Sequence, residues 1–230
     1  LNGAVYYIDW TNQQLSDSVF VNGVPQSVVT NAGETEVKGV EIDTHWLATD
    51  HLVFSLGYAY ADAEITDFCD PTQGSELTGF DCVNSDGIQG GQVAGNQIPN
   101  APKHHLVVSS EFTYPLLRGG EWFVRPDYSY TSKKYAQVHN LAHTGDRSLF
   151  NLKTGVRMDN GVTFTMFLDN VFDDRTPSTL VRYADLVNLN TGPNGNPALD
   201  NVPGTTSTER AFLMPLAKSR QFGIQLSYDF

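Results

Sequence analysis

The chain has 230 residues, of which 40% are hydrophobic and 11% aromatic, and its formal net charge is −12. With only 14 Lys and Arg, it lacks the clustered basic side chains that neutralise phosphates, so a nucleic-acid partner is excluded. No apolar run reaches the length of a transmembrane helix, so a helical membrane protein is excluded as well.

Eight segments along the chain alternate between apolar and polar residues, which predicts β-strands with one apolar side. A period of two in eight segments is typical of an antiparallel sheet. In chain order, the predicted apolar side carries Ala4, Tyr6, Ile8, Trp10; Val40, Ile42, Thr44, Trp46; Leu52, Phe54, Leu56, Tyr58, Tyr60; Leu106, Val108, Ser110, Phe112, Tyr114; Trp122, Val124, Pro126, Tyr128, Tyr130; Phe150, Leu152, Thr154, Val156, Met158; Val162, Phe164, Met166, Leu168; and Phe222, Ile224, Leu226, Tyr228, Phe230.

The opposite side of the predicted sheet is polar and often charged. Small residues recur there, among them Ser55, Gly57 and Ala59, and they favour the wall of a wide barrel over a small barrel filled by side chains. We expect the charged members of this side to face a lumen. They are Glu41, Asp43, Glu111, Arg125, Asp127, Lys153, Arg157 and Asp169.

Short and long connections alternate along the chain. The short ones read "LATD", "LLRGGE" and "MDNG", and the last is an Asn-Gly hairpin signal. The long ones cover approximately residues 12–30, 67–101, 139–147 and 183–209. All tight turns therefore lie at one end of the sheet and all long loops at the other, as in an all-β antiparallel transmembrane β-barrel. Aromatic residues at the predicted strand ends, such as Trp46, Tyr114 and Trp122, are typical of the girdles at the membrane interfaces.

Three alternatives remain open at this point. A soluble β-sandwich or lipocalin-like barrel also has alternating strands. A self-contained eight-stranded outer-membrane barrel would have a structural or adhesion role. An outer-membrane hydrolase would use a Ser, His and Asp set, for which His139, His143, Asp146 and Ser148 are near one another in sequence. We expect no enzyme activity, because polar loops produce such clusters by chance.

Seven pieces of the sequence resemble one family in that family's order. They are "TNAGETEVKGVEID" from Thr30 to Asp43, then "LGYAYADAEI", "GNQIPNAPKHHL", "DYSYTSKKYA", "NLKTGVRM", "FLDNVFDD" and the closing "RQFGIQLSYDF". The family is that of the TonB-dependent outer-membrane receptors, and the resemblance is to the barrel domain. It covers nearly the whole chain.

The resemblance implies that residues 1–230 are the C-terminal part of a barrel of about 22 strands, with a plug domain that this chain does not contain. It also implies a place in the outer membrane of a Gram-negative cell, in contact with lipid and lipopolysaccharide. Energy would come through the TonB complex, and the cargo would be a scarce nutrient: a siderophore, cobalamin, haem or an oligosaccharide. No cofactor is expected.

Several residues are candidates for specific roles. We expect ligand contacts from Tyr135, His139, His143, Arg182 and Tyr183, which lie near the bases of the long loops. His139 and His143 have metal-binding spacing only if they lie on a helix, so we predict no metal site. By the resemblance, the apolar side of the last strand, Phe222, Ile224, Leu226, Tyr228 and Phe230, would be read by the barrel assembly machinery.

The two cysteines, Cys69 and Cys82, lie in the same long loop. In an oxidising periplasm or at a cell surface, two cysteines so placed are expected to pair. The sequence therefore predicts one structural disulfide, which closes part of this loop.

Overall fold

The structure is a computed structural model that describes residues 1–21, 24–31, 33–70, 82–83, 87, 89–117, 119–184 and 210–229. These residues form β-strands and connecting segments, and they include no helix of the length and hydropathy that a membrane span requires. In chain order the strands are β1 (Asn2–Trp10), β2 (Gln14–Val21), β3 (Val24–Asn31), β4 (Glu34–Thr49), β5 (Leu52–Asp67), β6 (Cys69–Asp70), β7 (Cys82–Val83), β8 (Gln89–Gln92), β9 (His104–Pro115), β10 (Glu121–Thr131), β11 (Arg147–Arg157), β12 (Val162–Asp169), β13 (Val181–Ala184), β14 (Arg210–Leu213) and β15 (Gln221–Tyr228).

Eight strands form one antiparallel sheet in the order β1-β4-β5-β9-β10-β11-β12-β15. All eight alternating segments of the sequence are strands of this sheet, so the predicted all-β antiparallel architecture is confirmed. Tight turns join β4 to β5, β9 to β10 and β11 to β12, and the remaining connections are long. Gly120 and Gly161 have φ values of 90° and 85° in these turns, a conformation that glycine adopts without steric cost. The two kinds of connection lie at opposite ends of the sheet, as expected.

The pairing register shows which residues share a face, because directly opposite residues of antiparallel strands point to the same side. Ile42 lies opposite Tyr58, Tyr58 opposite Leu106, and Leu106 opposite Tyr130. On the last strands, Phe164 lies opposite Leu226. From β4 to β15, the predicted apolar residues therefore share one face, which we call the apolar face; the opposite side is the polar face.

The first strand differs from the prediction. Tyr6 lies opposite Gly39, and Ala4 opposite Glu41, so Ala4, Tyr6, Ile8 and Trp10 are on the polar face. It is Val5 that lies opposite Val40 on the apolar face. The prediction was wrong because β1 carries apolar residues on both sides, and alternation alone cannot choose between them; the pairing with β4 does.

The sheet does not close. Of the described strands, β1 and β15 each pair with one neighbour in this sheet, and they do not pair with each other. A self-contained eight-stranded barrel would require that pairing. A soluble sandwich would bury the apolar face in a core, whereas Ile224 and Leu226 are 60% and 72% exposed. The buried apolar residues of the described part are only Ala63, Ile65, Phe68, Val93 and Phe123.

The long connections contain small sheets of their own: β2 pairs with β3, β13 with β14, and β8 with both β6 and β7. A disulfide joins Cys69 to Cys82 and so links β6 to β7. Next to β6, a small apolar cluster of Ile65, Phe68 and Val93 is packed against Ile98 and Val138. The connection before β9 is thus anchored both on the end of β5 and on the connection that follows β10.

Candidate ligand-binding face

The polar face collects the charged residues that the sequence pattern assigned to one side. Arg125 lies opposite Lys153, and Asp169 lies opposite Gln221. On neighbouring strands, Glu41 lies opposite Ala59 and Asp43 opposite Gly57. The register places all eight on this face: Glu41, Asp43, Glu111, Arg125, Asp127, Lys153, Arg157 and Asp169.

At the tight-turn end of the polar face, Arg157 joins three strands. Its Nη2 donates to Glu111 Oε1 at 2.8 Å, and its Nη1 donates to Glu121 Oε1 at 2.7 Å. The guanidinium also lies over the ring of Phe123, with Cζ 4.1 Å from the ring centroid, a cation–π contact. Because each group is partly exposed, each ion pair contributes little free energy, and its main effect is to hold neighbouring strands in contact.

A second arginine extends this network toward the middle of the face. Arg125 Nε donates to Asp127 Oδ1 at 3.0 Å, and its Nη1 lies 4.0 Å from Glu111 Oε2. Beside it is a cavity of about 340 Å³, lined in part by His45, Ser55 and Ser109. Glu111 and Asp127 therefore have arginine partners at this end of the face, and hydroxyl and imidazole groups contribute to the lining of the cavity beside them.

At the long-loop end, the segment before β9 runs along the edge of β5. Ile65 N donates to Asn96 O at 2.8 Å, and Ile98 N donates to Ala63 O at 3.0 Å. The side chain of Asn140 then joins the next connection to this segment: its Oδ1 accepts from Gln97 N at 2.7 Å and its Nδ2 donates to Gln97 O at 2.8 Å. The side-chain carboxamide of Asn140 thus makes the two hydrogen bonds to Gln97 that the backbone of a neighbouring strand would otherwise make. The connection before β9 and the connection after β10 therefore form one layer at the long-loop end of the sheet, which we call the rim layer.

Two of the predicted ligand contacts lie together in this layer. Tyr135 and His143 form an isolated antiparallel bridge, and their ring centroids are 5.6 Å apart in an edge-to-face arrangement. Lys133 Nζ lies 5.2 Å from the centroid of the Tyr135 ring. A phenol, an imidazole and an ammonium group therefore share one small surface at the rim.

The other predicted contacts are placed differently. His139 is buried, with 6% of its surface exposed. Arg182 and Tyr183 lie in β13, opposite Phe212 and Ala211, and their side chains are outside the described residues. Phe222, Ile224, Leu226 and Tyr228 lie on the apolar face of β15, whereas Phe230 is outside the described residues.

The segment after β12, within the motif "FLDNVFDD", is hydrogen-bonded to β11 and to the segment that precedes β15. Asn170 Nδ2 donates to the carbonyl oxygens of Asp174 and Lys218, and its backbone N donates to Asn151 Oδ1. Asp174 accepts from the backbone N–H groups of Ser148 at 2.6 Å and Thr176 at 2.7 Å. Burial raises the pKa of Asp174, but these hydrogen bonds outweigh it and hold the pKa below its usual value. The motif therefore has a structural role.

The sequence interpretation missed two features of the face. Tyr6, Ile8 and Trp10 were assigned to the wrong side, and the only sequence signal against that assignment was the apolar character of both sides of β1. The role of Asn140 was also missed, and no local pattern marks it.

In the described part of the chain, no three His, Cys, Asp or Glu side chains are grouped so that they could share a metal ion.

The chain matches a model of one protein family. The family, described as "TonB dependent receptor-like, beta-barrel", matches residues 1–171. The sequence is 24% identical over 153 residues to a probable TonB-dependent siderophore receptor, PiuA, of Acinetobacter baumannii; the alignment covers 66% of this chain and 19% of that protein.

Solved structures show the same fold. The ferric yersiniabactin uptake receptor FyuA of Yersinia pestis superposes with a TM-score of 0.65 at 15% identity, covering 99% of this chain and 27% of that one. The ferric preacinetobactin receptor BauA of Acinetobacter baumannii superposes with a TM-score of 0.60 at 17% identity, again covering 99% and 27%. The matched parts thus span only 19% to 27% of the length of these proteins.

Proposed function

This chain belongs to the TonB-dependent receptor-like β-barrel family, and from that membership we propose that it forms part of the barrel wall of an outer-membrane receptor that takes up a scarce nutrient. The observation that carries the proposal is the unclosed eight-stranded meander with all long connections at one end. Such a wall needs further strands to close and encloses a lumen too wide for side chains to fill.

In this proposal the apolar face contacts lipid, and lipopolysaccharide surrounds the long-loop end. The exposure of Ile224 and Leu226 supports the lipid contact. The polar face would line the lumen and contact a plug domain outside this chain, and the TonB complex would supply energy. The aromatic and aliphatic residues of β15 would be recognised by the barrel assembly machinery. No catalytic role is part of the proposal.

The rim layer would contact the nutrient. Tyr135 and His143 are adjacent there, with Lys133 beside them, which supports a binding surface for an oxygen-rich ligand such as a metal chelate. One relative is named as a siderophore receptor, and the two solved structures are named for ferric ligands, so a ferric siderophore is the cargo we propose first.

The test uses the full-length protein in its own cell. Its mass after extraction from outer membranes should be several times the 25.3 kDa of this chain. Cells that lack it should accumulate less radioactive iron from at least one of a panel of ferric siderophores, and removal of TonB should have the same effect. A mature protein close to 25.3 kDa would contradict the proposal. So would iron uptake that is unchanged both in cells that lack this protein and in cells that lack TonB.

A further inference from the structure

The two rings that the proposed function places against the nutrient, Tyr135 and His143, lie on one short hairpin of the rim layer. This segment, residues 134–144, follows β10, and we call it the rim hairpin. Next to the Tyr135–His143 bridge, Ala136 N donates to Ala142 O at 2.9 Å. His143 is exposed and Tyr135 is half-buried, so a ligand can reach the pair from outside. The position of the hairpin therefore determines the position of both rings.

The turn of the rim hairpin is packed inside the layer. Gln137 and His139, which belong to this turn, are 8% and 6% exposed. The turn ends at Asn140, whose N donates to Gln137 O at 3.1 Å. Asn140 has a φ of 55°, a left-handed conformation that asparagine adopts more readily than most residues. In this conformation its side chain reaches the connection before β9.

Side-chain amides fasten the turn to that connection. The Asn140 carboxamide bonds both backbone groups of Gln97. From the other side, Asn96 Nδ2 donates to Val138 O at 2.9 Å. The side chain of Val138 also packs against the small apolar cluster next to β6. The turn is thus anchored on a segment that is itself hydrogen-bonded to the edge of β5.

A second contact lies at the end of the hairpin that carries the rings. Asn100 N donates to Tyr135 O at 2.9 Å, and Asn100 is exposed to solvent. A hairpin attached at one exposed hydrogen bond can pivot about it, whereas a hairpin attached at both ends cannot. The attachment through Asn140 therefore decides whether Tyr135 and His143 keep one position relative to the rest of the rim layer.

We propose that Asn140 is a positioning residue for the nutrient site: it fixes the rim hairpin against the connection before β9 and so holds Tyr135 and His143 in the arrangement that binds the cargo. This inference rests on the proposed function, in which the rim layer contacts the nutrient. A ligand that met a loose hairpin would have to order it on binding, and that ordering would lower its affinity. Asn140 removes this cost without contacting the ligand itself.

Hydrogen exchange resolved to single amides tests the positioning in the ligand-free, full-length receptor purified from outer membranes. Asn140→Gly removes the carboxamide and keeps the left-handed backbone, which glycine adopts without steric cost. The Gln97 amide should exchange faster because it loses its acceptor. The Asn100 amide should exchange at least about tenfold faster, because its acceptor, Tyr135 O, moves away with the released hairpin.

Two further amides and one control variant make this result specific. The Ala136 amide should keep its rate, because its acceptor lies within the hairpin. Asn12→Gly is the matched control, since Asn12 has a φ of 56° and lies in another connection, and it should leave the Asn100 rate unchanged. An unchanged Asn100 rate in Asn140→Gly overturns the inference. Equal acceleration at Ala136 also overturns it, because Asn140 would then fold the hairpin and not position it.

Uptake kinetics separate positioning from loss of folded receptor. Cells with Asn140→Gly would be compared with wild-type cells for each radioactive ferric siderophore of the panel that wild-type cells accumulate. We expect KM to rise about fivefold or more, since two rings must be ordered on binding, while Vmax stays the same. An unchanged KM, or a lower Vmax alone, overturns the inference. If wild-type cells accumulate no siderophore of the panel, the proposed function fails, and the exchange rates still decide whether Asn140 fixes the hairpin.

Discussion

On the polar face, single side chains form contacts that join neighbouring strands. Arg157 shows this, because one guanidinium pairs with carboxylates from two other strands and covers the ring of Phe123. A fork of five donors on a rigid plane can hold two carboxylates at once, which an ammonium group does less well. At this scale the face is a set of local cross-strand contacts.

Arg157→Gln should lower the stability of the full-length barrel by about 1 kcal/mol, a small value because the partners are partly exposed to solvent. The measurement is the temperature at which the folded band disappears in a heat-modifiability gel. Lys153→Gln is the control, since Lys153 lies on the same face and has no ion pair among the described residues. Equal effects of the two substitutions would mean that the ion pairs contribute nothing.

Asp174 makes the connection after β12 sensitive to acid. Because its folded pKa lies below the ordinary value of 3.8, its contribution is present at neutral pH and is lost as the pH falls through the folded pKa. Asp174→Asn should cost about 1–2 kcal/mol of local stability at neutral pH, since the charged acceptor is removed. Hydrogen exchange at Ser148 and Thr176 measures this, and the two proteins should converge at low pH. A constant difference at every pH would contradict the assignment.

Neighbouring strands fit together through glycines that leave room for aromatic rings. The ring of Tyr6 lies over Gly39, that of Phe123 over Gly155, and that of Phe167 over Gly223. All three pairs are on the polar face, where aromatic rings lie flat across the sheet. This packing lets large side chains stay on the polar face without filling the space above it.

Gly155→Ala should destabilise the barrel by about 1–3 kcal/mol, because the new Cβ would collide with the Phe164 carbonyl oxygen and the Phe123 ring. Gly57→Ala is the matched control, as its Cβ would meet nothing closer than 4.0 Å. Both variants would be compared by refolding yield in detergent micelles and by heat modifiability. If Gly57→Ala destabilises the barrel as much as Gly155→Ala does, the collision with Phe123 and Phe164 is not the cause of the destabilisation.

Among the described strands, the eight-stranded sheet has two edges at which no neighbouring strand is paired. In the described residues β1 and β15 are the outer strands of a meander that does not close. Unpaired edges expose rows of backbone donors and acceptors, which membrane barrels avoid by closure. The remaining strands of a larger barrel would provide that closure.

Engineered cysteines test this arrangement in the full-length protein. Val5→Cys combined in turn with Phe222→Cys, Ile224→Cys or Leu226→Cys should give no cross-link on oxidation, because the missing strands would separate β1 from β15. The pair Phe164→Cys with Leu226→Cys should cross-link readily, since these residues are directly opposite. An efficient β1–β15 cross-link would mean that the eight strands close on themselves.

The sequence by itself determined the eight strands, their alternating connections and the faces of β4 to β15, because strand periodicity and turn residues are local properties. It did not determine the face of β1, whose two sides are both apolar, nor the burial of His139 or the contacts of Asn140. Those depended on the tertiary structure, since pairing register and the covering of one segment by another are set by residues far apart in the chain.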